Sequence, residues 1–156
     1  MRRLALPDAS ELVSILRTTA TTSQRAYTLY SLRVPDLSAG ATVMVQAQFE
    51  VLHELDAKVM LSTAMIRTPS KRVFIGHEPD WSDAEFVYPG VPATRELLAG
   101  VRREVYNASG SVTIDAASAG VAFFSLVAWV ATDGAPEGSP FVIERGRGGL
   151  AALVFE

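Results

Sequence analysis

The residues of this chain that could do chemistry crowd into one stretch, Gly76 to Phe86, "GHEPDWSDAEF". It holds one of two histidines (His77), four carboxylates (Glu78, Asp80, Asp83, Glu85) and one of two tryptophans, Trp81. Carboxylates beside an imidazole are the raw material of a cation site or an acid–base pair. Their spacing matches neither pattern. An EF-hand loop needs a glycine at its sixth position and a bidentate glutamate at its twelfth. A zincin helix needs a second histidine one turn after the first. On an extended chain Glu78 and Asp80 would point one way and His77 the other, but Pro79 argues against a regular strand. The plainer reading is a solvated loop between strands, with Trp81 anchoring it and its acids forming a rim at 77–85 that could hold a cation.

Other chemistries find less. A small metal enzyme on a β-barrel scaffold gathers two or three histidines and a carboxylate, and here only His53 joins His77. His53 sits in "LHELD", which reads as a polar turn. There is no cysteine, so thiolate nucleophiles, thiolate metal sites and disulfides are excluded. No G-x-S-x-G elbow marks a serine nucleophile. "ERGRGG" (144–149) lies between two strand-like runs instead of between a strand and a helix, so it reads as a tight hairpin turn and not as a phosphate-binding loop. "NAS" at 107–109 fits a glycosylation sequon and reads as a turn. Trp81, Tyr88 and Tyr106 could form a sugar-binding platform; Trp81 and Tyr88 are the candidate ligand contacts. The expectation is a protein that is not an enzyme and uses no cofactor and no metal.

Bulk properties bound the class. The 156 residues suit one domain with a full core. Fourteen basic against 17 acidic residues give a net charge of −3, and the basic ones are scattered, so there is no footprint for nucleic acid. Charged residues make up 20% and hydrophobic ones 49%, which implies more apolar surface than a free monomer shows, hence contacts between subunits. No run approaches the roughly 18 apolar residues of a membrane span. The start, "MRRLALPDASEL", does not read as a secretion signal.

The elements that would position these residues are mostly strands. Residues 7–17, "PDASELVSILR", carry a helix-start pattern, with Asp8 as N-cap and Glu11 three residues on; Leu12, Ile15 and Leu16 supply an apolar face. From Arg25 the period changes to two. In 41–53 Val43, Val45, Ala47, Phe49 and Val51 alternate with Gln46, Gln48 and Glu50, a half-buried strand. After a break the pattern resumes through 58–68, so 41–68 reads as one long hairpin. Further runs at 26–34, 71–75, 101–106, 111–115, 120–132, 140–145 and 149–155 are separated by "TPS", "YPGVP", "NASG", "DGAPEGS" and "GRGG". Residues 93–99 fit either a helical turn or a strand entry. The fold class is all-β: an antiparallel β-sandwich, a jelly roll, over 25–156, preceded by a short helix or arm over 1–24.

Strand 120–132 is apolar on both faces, with Val121, Phe123, Val127 and Trp129 on one and Phe124, Leu126, Ala128 and Val130 on the other. A strand buried twice needs a second cover, either the N-terminal helix or another subunit. The symmetric partner is favoured over cover from within the chain, with Phe124, Leu126 and Val130 at the subunit interface and Leu12, Ile15 and Leu16 docking the helix.

The segments "AGATVMVQAQFEVLHELDAKVMLSTAMIR" and "GVAFFSLVAWVATDGAPEGSPFVIERGRGGLAALVF" resemble the β-sandwich accessory structural proteins of tailed phages and prophages. The likeness runs through Val45 to Met65, Val121 to Thr132 and Phe141 to Phe155, within about 110 residues. In the middle, "YPGVPATRELLAGVRREVYNASG" stands where such chains often carry an Asn-rich segment with a histidine pair. The resemblance implies a jelly roll that assembles by rotational symmetry, a homo-oligomer such as a trimer. It would be attached to other virion proteins through its N-terminal arm, as a capsid decoration, head spike or tail-accessory subunit. The expected location is the virion, assembled in host cytoplasm, with neither nucleic acid nor membrane as partner. The alternatives are a carbohydrate- or receptor-binding module and a small metal-dependent jelly-roll enzyme.

Overall fold

In the computed structural model, the residues described are 2–5, 14–20, 23–97 and 102–156, with the backbone but not the side chains of 14, 88–93, 102 and 144–148. Ten strands follow in order: β1 (Arg2–Ala5), β2 (Ser14–Thr19), β3 (Ala26–Leu37), β4 (Thr42–His53), β5 (Val59–Thr68), β6 (Ile75–His77), β7 (Glu85–Leu97), β8 (Arg102–Thr113), β9 (Gly120–Thr132) and β10 (Pro140–Phe155). A single 3-10 turn, Ala116–Ser118, interrupts them. Its N-cap is Asp115, whose carboxylate accepts from the Ser118 amide at 2.7 Å.

Two sheets face each other. In the first, β10 pairs along one edge with β4, and β4 pairs with β8; β1 and β2 share the other edge of β10. In the second, β9 lies between β3 and β5, with β6 beyond β3 and β7 beyond β5. Strand β2 belongs to both, because Thr18 and Thr19 leave β10 and run parallel to Val130 and Ala131 of β9. It closes the sandwich on that side. The buried hydroxyls there are satisfied: Thr18 donates to the Pro136 carbonyl at 2.9 Å and Thr19 to that of Val130 at 3.2 Å.

Alternation builds the core. The inward residues of β4 (Val43, Val45, Phe49, Val51) meet Leu32 and Val34 of β3, Leu61 and Met65 of β5, and Phe141 and Val154 of β10. Burial of each large side chain contributes about 1.5–3 kcal/mol against leaving it in water.

The sequence expectations need four corrections. The helix expected over 7–17 is corrected where it is described: Ser14–Arg17 is strand, and 7–13 lie outside the described residues. Ile15 is exposed and Leu16 buried, a period of two, and tertiary pairing to β10 and β9 supplies the backbone partners that a short helix would have kept to itself. Consequently Arg2–Ala5 and Ser14–Thr19 are paired into the sandwich. Residues 41–68 are not a hairpin, since β4 and β5 lie in different sheets. "NASG" lies inside β8 and "GRGG" inside β10, the latter at a register shift between Glu144 and Gly149. "YPGVP" lies inside β7, an outer strand of its sheet, where missing amide donors are tolerated. Small and polar residues read as turns locally, but in β8 Asn107 and Ser109 simply face water.

Candidate functional site

The acidic stretch is a strap laid across the outside of the second sheet. It begins at Phe74, whose amide donates to Thr28 Oγ1 at 2.9 Å while its carbonyl accepts from the Thr28 amide at 2.8 Å. Gly76 then takes φ +96°, and a Cβ there would fall 2.6 Å from the Tyr27 hydroxyl. Only glycine accommodates both the angle and the close approach. Trp81 packs against Phe74, Phe86 and Trp129 at ring-centroid distances of 5.6, 5.3 and 5.9 Å.

With the strap tied down, three of its four carboxylates, Asp80, Asp83 and Glu85, go to separate partners. Asp80 accepts from the Ser82 amide at 2.9 Å, and this bond holds its carboxyl below the usual carboxylate range. Arg72 donates to the Asp80 carbonyl at 2.8 Å and lies 4.0 Å from the Asp83 carboxylate. Glu85 pairs with Arg67. The Nδ1 of His77 accepts from the Ile75 amide at 3.4 Å. Among the described residues, no three His, Cys, Asp or Glu side chains converge as metal ligands would. His53 lies elsewhere, buried at the end of β4 with its ring stacked 5.1 Å from Phe141.

The strap also answers what covers β9. Val127 and Trp129 form a second apolar cluster with Ala26, Ala64, Ile66 and Phe74, and Trp81, Ala84 and Phe86 pack onto it. The opposite face, with Phe124, Leu126 and Val130, is fully buried in the core between the sheets. The chain covers both faces itself, so the argument that put these three residues at a subunit contact no longer holds. Leu16 is likewise core. Ile15 is exposed, and Leu12 lies outside the described residues. The Tyr88 backbone sits in β7 opposite Met65, and its side chain is also outside them.

A different surface emerges from the register. Of the seven large apolar side chains left exposed among the described residues, Leu4, Ile15, Met44 and Val105 share the outer face of the first sheet. At one end Leu4, Leu153, Met44 and Ser111 form a row across β1, β10, β4 and β8. At the other, Ile15, Val142 and Leu52 do the same across β2, β10 and β4. Between them stand Gln46, Gln48, Asn107 and Ser109, all exposed and uncharged. Glu50 is nearly buried and pairs with Arg103 at 3.4 Å. Sequence reading saw the Gln46–Gln48 face only as solvated; that it continues over neighbouring strands is a property of the register.

No family model matches the chain, and no curated protein matches it. Solved structures do. A structure of infectious bursal disease virus, Gt strain, matches 99% of this chain and 33% of its own, with TM-score 0.57 and 12% identity. Infectious bursal virus derived T=1 particles match 98% of this chain and 31% of theirs, with TM-score 0.58 and 12% identity. The VP2 subviral particle of infectious bursal disease virus matches 98% and 32%, with TM-score 0.55 and 9% identity. The chain spans about a third of the length of those chains. At such identities the likeness is one of fold: this chain is an all-β sandwich of the kind found in a virus-particle protein.

Proposed function

We propose that the chain is a non-enzymatic structural subunit of a virus particle, of the accessory kind seen in tailed phages as head decoration, spike or tail-accessory protein, and that it assembles as a symmetric homo-oligomer. The strand order supports a jelly-roll body: β2-β10-β4-β8 faces β3-β9-β5-β7, two interlocked Greek keys. The observation that carries the assembly reading is the outer face of the first sheet, with Leu4, Ile15, Met44 and Val105 exposed around Gln46, Gln48, Asn107 and Ser109. Its Glu50 and Arg103 charges are paired with each other, and a face of that composition gains free energy when a like face covers it. Trp81 supports an anchoring role over a sugar platform, because three other rings pack around it.

Light scattering behind a sizing column tests this. The expected result is a single oligomer at micromolar concentration that Met44→Lys and Ile15→Lys dissociate. A monodisperse monomer at every concentration would overturn it.

A further inference from the structure

Strands β7 and β8 are the outer strands of their respective sheets, on the side of the sandwich away from β2. Arg95 of β7 bridges them: its guanidinium carbon lies 4.9 Å from the ring centroid of Tyr106 on β8, and that ring stacks at 5.3 Å on Phe49. Behind this bridge opens a cavity of about 230 Å³. Leu61, Met65, Leu126 and Ala108 line it with Tyr106, and its polar lining includes Arg95 and Asn107.

The lining specifies a ligand class. A wholly apolar cavity of about 150 Å³ is known to take a benzene, so this one has room for a single ring, or a chain of about six carbons, with a small polar head. The head would meet Arg95. Among the described residues no carboxylate pairs with that guanidinium, so its planar fork is available for a two-oxygen anion. The wall stays uncharged: burial and the neighbouring Glu104, which accepts from the Tyr106 hydroxyl at 3.1 Å, keep the phenol protonated well above its ordinary range.

We propose that this cavity binds a small amphipathic carboxylate, its apolar body on Leu61, Met65 and Leu126 and its carboxylate outermost on Arg95. The site borders the assembly face at Asn107, but it does not depend on the assembly reading. Benzoate and hexanoate are the probes, with benzyl alcohol and hexan-1-ol as neutral counterparts, followed by amide chemical shifts of the full chain. Saturable shifts at Leu61, Thr63 and Ala108 are expected, with each acid displacing the other. Each acid should bind at least about tenfold tighter than its alcohol, and Arg95→Gln should remove that margin. Ala108→Leu, which fills the cavity without touching Arg95, should abolish binding in a chain whose circular dichroism is unchanged. Absence of saturable shifts at those amides in the unaltered protein overturns the proposal, as do equal affinities for acid and alcohol.

Discussion

The indole rings of Trp81 and Trp129 lie 5.9 Å apart at an interplanar angle of 56°. This contact fastens the acidic strap to the strand that most needed a second cover. Trp129 is 6% exposed, and the cover comes from residues about fifty positions earlier in the same chain.

Trp81→Ala should therefore act on folding stability. A half-buried indole with three ring neighbours implies a loss of about 2 kcal/mol. Denaturant titration would show it, and Trp129 fluorescence should shift to the red as its face opens. An unchanged midpoint would mean that the strap is not an energetic part of the fold.

Core and assembly face should separate under mutation. Phe124→Ala empties a fully buried position and should cost about 3–5 kcal/mol. Met44→Lys replaces a side chain that is 43% exposed and should change the stability of the folded subunit by no more than about 0.5 kcal/mol, while weakening self-association. Unfolding curves recorded alongside light scattering would read both. A Met44→Lys chain that unfolds instead of dissociating would contradict the assignment.

At Gly76, alanine meets two obstacles, the +96° φ and the Tyr27 hydroxyl 2.6 Å from its Cβ. Gly76→Ala should destabilise by about 1–3 kcal/mol. Adding Tyr27→Phe removes the nearest atom and should recover part of that loss, leaving the backbone strain and the ring carbon 2.9 Å away. Equal stability of single and double variants would show that the hydroxyl carries none of the cost.

Asp80 should titrate low. The Ser82 amide bonds its ionised form, so its folded pKa lies below 3.8. The stabilisation this adds to the strap is complete above 3.8 and is lost as pH falls through the lowered value. A carboxyl carbon titration should place the midpoint below that of the same residue in a peptide of 76–86. A coincident midpoint would remove the turn from the account.

Legibility differed by element. Strand β9 was readable residue for residue, because two alternating apolar sets over 120–132 have no other compact solution. The alternating face of β4 was equally plain. The interruption "NASG" misled, since a polar run in a strand with one wet face looks the same in sequence as a turn, and "GRGG" misled because it is a register shift within β10. The helix-like run misled over Ser14–Arg17 for another reason: helical preference is weak and local, and pairing of β2 to two sheets overrides it. The acids of 76–86 drew notice by proximity in sequence, yet Arg67, Arg72 and the Ser82 amide each claim one.

By itself the sequence determined the class of the protein: period-two apolar alternation between turn-like breaks commits it to an all-β sandwich. Only the tertiary structure decided which strands are neighbours. Hydrogen-bonded partners here are mostly distant in the chain, β10 with β1, β2 and β4, and β9 with β3 and β5. A strand's own residues set which face it buries, but not which edge it finds. That choice put Met44 beside Leu153, Arg95 over Tyr106 and Trp81 against Trp129.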